Sequence, residues 1–506
     1  MSKITPDYTL YFVTDSTMVP ETSTFLDQVR LAVENGATII QLREKSILTL
    51  DFIERAQKVL EITRPKGIPL IINDRVDVAL AVDADGVHVG QDDMPAATVR
   101  KLIGKNKILG VSCGNVAETT QVCEEGVADY VGLGTVYPTQ TKKVKAVVGP
   151  IGIRRSLEVL SKYKKEGKLI NSVAIGGIKH SNAAKVLFQC LVPGYEIDGV
   201  AVVSCIMAAT DAGKATRELL ASIRSPVAWK WPSESSVPFA LGLVDQKPLV
   251  HHITNNVVKN FSANVTLAIG ASPIMSELPE EFGEFACLPS VALLINLGTP
   301  STQLMEVFLL GLRTYNANGS PVIFDPVAAG ASSARREACR ILLNAGYFSV
   351  VKGNLGEITA LAQLGSDGSN DSETLMQGVD SLIKSSDDAT EALCKKVATE
   401  YRSVVVVTGE INYIYDGTKP LGEVLKVKGG SEYMGLVTGT GCSLGSTIAA
   451  YVAVARKQKL DIGKAVVSAV TMYNQAGKVA AKDVEGPGTF MVRFLDELAR
   501  ESKKVN

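Results

Sequence analysis

Eight short runs of β-branched and apolar residues, each followed by a stretch of helical period, fill the chain from residue 8 to about 225. The runs are YTLYFVT, ATIIQLR, LIIND, GVHV, ILGVSC, YVGLGTV, SVAIGG and GVAVVS. Almost continuous apolar character marks strands buried on both faces, as parallel strands are. The segments between them are amphipathic. Phe25, Val29, Ala32 and Val33 precede Asn35-Gly36, and Leu50, Ile53, Gln57 and Leu60 precede Arg64-Pro65, so Gly or Pro stops each helix. Eight such βα units predict a closed (β/α)8 TIM barrel over residues 1–225.

A chain of 506 residues exceeds one ordinary hydrophobic core, so a second domain is expected. Residues 226–240, rich in Pro and Ser, break the alternation and read as a linker, with Trp229 and Trp231 as its packing anchors. A second series then begins: LVHHIT, VALLINLG, PVIFDPV, FSVVKGN, SVVVVTG and the pair INYIYDG/EVLKVKG, before a long helical C-terminus. This pattern predicts an α/β domain over 241–506, an open sheet with a small antiparallel element. The polar, acidic stretch 365–391 reads mostly as a solvated surface insertion. Tyr433 to Ala455 carries no charge, but its Gly, Thr and Ser content predicts a buried helix behind a glycine loop, not a membrane span. Lys+Arg 52 against Asp+Glu 53, with no basic block, argues against nucleic acid as a partner. Eight scattered cysteines without a C-x-x-C pair, and no apolar leader, point to a reduced, cytoplasmic setting.

In a (β/α)8 barrel the C-terminal strand ends line the active site. Here the second strand runs into Gln41-Leu42-Arg43-Glu44-Lys45, where alternation puts Gln41, Arg43 and Lys45 on one face; two cations there suit a polyanion. The third strand ends in Asn73-Asp74-Arg75, and the loop after the fourth carries Gln91-Asp92-Asp93, carboxylates suited to a hard cation such as Mg2+. The sixth leads to Thr139, Thr141 and Lys142, and the seventh and eighth to Gly176-Gly177 and Val203-Ser204, where such barrels often hold phosphate. Taken singly, QLREK is a solvated strand end with an ion pair and NDR a turn cap; six strand ends furnished together imply two phosphorylated substrates. His88, at the end of the fourth strand, reads as a packed, hydrogen-bonded core histidine.

In the second half, Val437-Thr438-Gly439-Thr440-Gly441-Cys442 leads into an apolar helix, an arrangement whose backbone N–H groups can face a phosphoryl group, although a lone GTG also simply makes a tight turn. Asp325 ends PVIFDPV, Asn354 and Glu357 stand at a strand-to-helix junction, and Thr408 ends SVVVVTG. Ligands of open α/β sheets bind at such strand ends. No G-x-x-x-x-G-K-[ST] loop is present, so a nucleotide would be held by other means.

QLREK, IINDR, GVHVGQDD, GVSC, GLGTVYPTQTK and AIGGI, in that order over residues 41–178, resemble thiamine phosphate synthase. The resemblance implies that a hydroxymethylpyrimidine diphosphate loses pyrophosphate as a hydroxyethylthiazole phosphate attacks its methylene. It implies Gln41, Asn73, Ser112 and Lys142 on the pyrimidine substrate, Arg43 and Lys45 on its diphosphate, and Asp74 and Asp93 on Mg2+. Thr139, Thr141, Gly177, Val203 and Ser204 would receive the thiazole phosphate. From residue 253, ITNNVVKNFSANVTLAIGASPIM, with FDPVAAG, VKGNLGEI and VTGTGC, resembles hydroxyethylthiazole kinase of the ribokinase-like superfamily. That implies ATP and Mg2+, with Met275 and Gly439 near the thiazole alcohol, Lys352, Asn354 and Thr408 near ATP, Asp325 and Glu357 around the metal, and Cys442 in the catalytic position. Lys352 is a departure, since bacterial members usually have Arg there. Relatives of this half are trimers, which implies a homo-oligomer, trimer or hexamer, through the kinase domain. A barrel isomerase or aldolase fused to another kinase is one alternative, opposed by the paired Asp74 and Asp93 and the lack of a Schiff-base lysine pattern. A non-catalytic sensor is the other, opposed by intact Lys45, Lys142, Asp93 and Glu357.

Overall fold

Each apolar run of the first half folds into a short strand: β1 (Leu10–Val13), β2 (Ile39–Leu42), β3 (Leu70–Asn73), β4 (Gly86–Val89), β5 (Ile108–Cys113), β6 (Tyr130–Leu133), β7 (Asn171–Ile175) and β8 (Gly199–Val202). In the computed structural model these eight pair in parallel and in sequence order, β8 closing on β1. The structure describes all residues except 1–4, 138, 140–146, 193–194, 226–241, 365–375, 378–379, 382–385, 420–421 and 505–506. The linker with Trp229 and Trp231, together with Thr141 and Lys142, therefore lies outside the described residues.

The chain divides into two compact units, Met1–Pro226 and Val227–Asn506. In the first, one apolar layer lies between strands and helices, and a second fills the bore with Tyr8, Tyr11, Val13, Ile39, Ile71, Ile108 and Tyr130. The helix Phe25–Glu34 starts where the Thr24 hydroxyl accepts from the Asp27 amide and buries Val29, Ala32 and Val33. The next helix, Thr49–Thr63, departs from the sequence reading. It buries Phe52, Ala56, Val59, Leu60 and Thr63, and leaves Leu50 65% exposed. Leu50 falls in the first turn, and the bulk of Phe52 and Val59 selects the face that meets the barrel.

The second unit holds an eight-stranded sheet. Its strands are β9 (Leu249–Ile253), β10 (Ser272–Ile274), β11 (Val291–Asn296), β12 (Val322–Asp325), β13 (Val350–Asn354), β16 (Val404–Thr408), β17 (Ile411–Asp416) and β18 (Leu425–Lys428). The order is β10-β9-β11-β12-β13-β16-β17-β18, parallel as far as β16 and antiparallel through β17 and β18. β10 is an edge strand of three residues, too short and too polar for periodicity to register. Two further short strands, β14 (Met376–Gln377) and β15 (Asp380–Ser381), pair within the acidic stretch, whose last residues already begin the helix Asp387–Tyr401.

The uncharged segment forms a short helix, Tyr433–Leu436, and then enters the helix Thr440–Gln458, buried without a break from Ser443 to Ala455. Gly445 permits its close approach to the sheet, since a Cβ there would lie 3.2 Å from Leu294 Cδ1. Among the described residues no helix is long and apolar enough to cross a membrane.

Candidate active sites

The described polar residues at the barrel's strand ends gather into one mouth. Gln41 is buried at the end of β2, its side-chain amide donating to Tyr11 Oη at 2.9 Å. Arg43 reaches Asp15 at 3.3 Å, and half-exposed Lys45 lies 2.5 Å from Asp74 Oδ2. Glu44 turns the other way, toward Arg55 at 2.5 Å and the Ser16 hydroxyl at 2.7 Å, which keeps the expected alternation and leaves the cations on the mouth side. Asp74 takes φ 61, a left-handed turn immediately after β3 that an Asp side chain tolerates. Asn73 is buried beside it, and Asp93 folds its own loop by accepting from the Gly90 amide at 2.8 Å. Ser112 ends the inward face of β5, with Gln91 donating to its carbonyl at 2.7 Å.

Across the mouth, Gly176 and Gly177 adopt φ 108 and 63. At Gly176 a Cβ would come within 2.4 Å of Thr135 Cγ2, so only glycine fits this turn. Asn182 donates to the Gly177 carbonyl at 3.0 Å, Val203 and Ser204 follow β8, and Thr139 lies in the loop after β6.

In the second unit the site is a buried cluster at the carboxyl ends of β11, β12 and β13. Asp325 ends β12 with no exposed surface, and Asn296, its neighbour on β11, donates to Oδ2 at 3.0 Å. Lys352 Nζ lies 3.0 Å from Asp325 Oδ1 and donates to the Gly441 carbonyl at 2.9 Å. The Cys442 thiol lies close enough to feel the charge of the same Asp325 carboxylate. Burial raises the Asp325 carboxyl against the pull of Lys352, and burial, with Asp325 beside it, pushes the Cys442 thiol up to about 12. Cys442 is therefore a neutral thiol at physiological pH; the helix N-terminus does not overcome desolvation.

Glu357 sits in the first turn of the helix Leu355–Gln363, where Asn354 and Glu357 form a reciprocal capping box. Its two oxygens accept from the Ala328 and Asn354 amides at 2.8 and 2.7 Å. Burial first, then Asp325, raises its carboxyl to about 7. Thr408 pairs in register with Asn354 across β16 and β13, so both lie in one row of strand ends. Gly439, at φ 93, starts the long helix, and Met275 follows β10.

Sequence reasoning missed Asn296 and Asn255, which donates to Asn296 Oδ1 at 3.0 Å. Their signal was present, because each is a polar residue at the end of an apolar run. It also missed Tyr11 and Tyr130, which look like ordinary aromatic core residues until the barrel closes.

Among the described residues no cluster of three or more His, Cys, Asp or Glu could hold a metal. Both sites do fit Mg2+ in donor chemistry, which needs one or two carboxylates and takes its other ligands from substrate phosphate and water. In each, a lysine ammonium now sits against one of those carboxylates, Lys45 on Asp74 and Lys352 on Asp325.

A closed barrel with charged strand ends, followed by an open α/β unit with a buried acid, lysine and thiol at a glycine turn, defines a two-site phosphate-handling enzyme. Residues 10–206 match the thiamine monophosphate synthase family, and residues 242–503 the hydroxyethylthiazole kinase family. The thiamine biosynthetic bifunctional enzyme of Saccharomyces cerevisiae is 41% identical over 97% of this chain and 95% of its own length. A probable thiamine biosynthetic bifunctional enzyme of Schizosaccharomyces pombe is 40% identical over 97% of this chain and 94% of its own. The thiamine-phosphate synthase of Chloroflexus aurantiacus is 46% identical and covers 43% of this chain and 93% of its own length. The chain belongs to the bifunctional thiamine biosynthetic enzymes, with a thiamine-phosphate synthase domain ahead of a hydroxyethylthiazole kinase domain and small molecules as substrates.

Proposed function

We propose that the second unit uses ATP to phosphorylate 4-methyl-5-(2-hydroxyethyl)thiazole, and that the barrel joins the resulting phosphate to hydroxymethylpyrimidine diphosphate, giving thiamine phosphate and pyrophosphate. The observation that supports this reading is that most of the described candidate groups of each half lie at the carboxyl ends of its own strands.

In the barrel, Gln41, Asn73 and Ser112 hold the pyrimidine, with Lys142 from outside the described residues. Arg43 and Lys45 take the diphosphate, whose negative charge grows as it leaves. The thiazole nitrogen is the nucleophile, so no side-chain nucleophile is required. Thr139, Thr141, Gly177, Val203 and Ser204 bind the thiazole phosphate, and Asp74 and Asp93 hold Mg2+.

In the second unit, Met275 and Gly439 border the thiazole alcohol, and Asn354 and Thr408 the nucleotide. Lys352 lies on the nucleotide side while neutralising Asp325. Asp325 and Glu357 receive Mg2+, directly or through water; when bound, the ion screens the phosphate charge. Cys442, as a neutral thiol beside Asp325, positions the substrate hydroxyl, whose proton leaves late in a loose phosphoryl transfer.

We place the joint between the two domains at residues 226–240 and the protein in the cytoplasm, in keeping with eight cysteines that form no disulfide. A trimer or hexamer assembled through the second unit accords with the exposed Val257, Leu267, Leu425 and Leu436; sedimentation velocity of the full chain checks it. The activity is tested by incubating the chain with hydroxyethylthiazole, ATP, Mg2+ and the pyrimidine diphosphate. Thiamine phosphate is the expected product, and its absence overturns the assignment.

A further inference from the structure

One unbroken line of hydrogen bonds crosses the barrel bore between Gln41 and Ser112. Gln41 Nε2 donates to Tyr11 Oη at 2.9 Å, the Tyr11 and Tyr130 hydroxyls are 2.6 Å apart, Tyr130 Oη is 2.9 Å from His88 Nδ1, and His88 Nε2 is 2.8 Å from Ser112 Oγ. Tyr11 is 1% exposed and Tyr130 fully buried. The bore is built around them. At Gly110 a Cβ would fall 2.1 Å from Tyr130 Cζ, and at Gly132 one would touch His88 Cε1 at 3.3 Å.

Each hydroxyl has one proton to give, so with the Gln41 nitrogen facing Tyr11 the direction of the line follows. Tyr11 accepts from Gln41 and so donates to Tyr130; Tyr130 donates to His88 Nδ1; the imidazole is then neutral, with its proton on Nε2 donated to Ser112. The two ends are thereby set opposite. Gln41 keeps its Oε1 as an acceptor, and Ser112 keeps its own proton to donate. The reverse order requires the Gln41 amide to turn over and inverts both ends together, so the line always couples one acceptor to one donor.

We infer that Tyr11, Tyr130 and His88 are positioning residues that fix the hydrogen-bond polarity of Gln41 and Ser112, and so select a 4-aminopyrimidine, whose amine donates and whose ring nitrogen accepts, over its 4-oxo counterpart, in which both roles are reversed. This rests on the reading of Gln41 and Ser112 as pyrimidine contacts.

The test uses the full chain and compares kcat/KM for the 4-amino and 4-oxo pyrimidine diphosphates. Tyr130→Phe removes one hydroxyl and keeps the ring. It is expected to lower the amino-over-oxo preference by about tenfold or more and to raise KM for the amino substrate. KM for the thiazole phosphate should stay within about twofold. Tyr11→Phe breaks the line at a second point and should do the same, which keeps the question open to test if one variant folds poorly. An unchanged preference in either well-folded variant, with both pyrimidines slowed alike, shows packing alone and overturns the inference. Gln41→Leu separates the two levels. If it leaves the preference and KM intact, the pyrimidine site itself is misread. If it abolishes the preference while Tyr130→Phe and Tyr11→Phe do not, the line of hydrogen bonds is what fails.

Discussion

The two sites hold their charges under opposite conditions. At the barrel mouth the Lys45 side chain is 51% exposed and Asp74 21%, so water already solvates both and a diphosphate can displace one partner from the other cheaply. In the second unit the corresponding pair, Lys352 and Asp325, is 4% and 0% exposed, with Asn296 donating to Asp325 and the Gly441 carbonyl accepting from Lys352. The barrel thus presents its charges at an open mouth, whereas the second unit holds charges that neutralise each other inside the fold. Similar residue types, acid beside lysine at a strand end, serve different ends because burial changes what each partner costs alone.

The sharpest way to break this contrast is to remove the lysine on each side. Lys352→Met leaves a buried carboxylate unpaired and is expected to destabilise the second unit by about 3–5 kcal/mol, read from denaturant unfolding. Lys45→Met should cost under about 1 kcal/mol, while lowering thiamine phosphate formation about 100-fold. Equal stability losses would erase the distinction between the sites. Next in size, Asp93→Ala should lower thiamine phosphate formation about 100-fold and leave thiazole phosphorylation near normal. Loss of both activities together would show that the sites do not act separately.

How much was legible follows the same division. The barrel's eight strands and mouth residues could be placed because a βα repeat has one outcome, and because QLREK and NDR sit where alternation and chain direction leave little choice. The second unit's strands were also readable, apart from the short β10, β14 and β15, yet the grouping of Asp325 with Lys352, Asn296 and Cys442 was not. Those residues come from β12, β13, β11 and the long helix, and only the sheet order brings them together. The Tyr11 to His88 line was hidden for a related reason. A tyrosine in an apolar run reads as core, and its hydroxyl gains a partner only when β1, β4 and β6 close around one bore. Leu50 shows the limit at single-residue scale, since helical period alone does not choose between two apolar stripes.

Cys442 sharpens the comparison from within the buried site. With its thiol pushed up to about 12, a profile of kinase turnover against pH should be flat from about pH 7 to 9. A rise of about tenfold per pH unit would instead make the thiolate the base. Cys442→Ala is expected to lower turnover about tenfold by loosening the substrate hydroxyl, with barrel activity unaffected. An unchanged kinase rate would retire the residue from the site.

The smallest expected effect concerns Glu357, whose carboxyl burial and Asp325 raise from the ordinary 4.5 to about 7. Between those two pH values the folded unit binds a proton that the unfolded chain does not. Its stability should therefore fall as pH rises through that window, by on the order of 1 kcal/mol per pH unit, and level off above about pH 7. Calorimetric melting of the wild-type chain and of Glu357→Gln at pH 5, 6 and 7 measures this, because glutamine stays neutral and should flatten the slope. A slope that survives in Glu357→Gln would move the proton to Asp325, whose carboxyl burial also raises. The ion pair with Lys352, and not the helix cap, would then be the pH-sensitive element of the cluster.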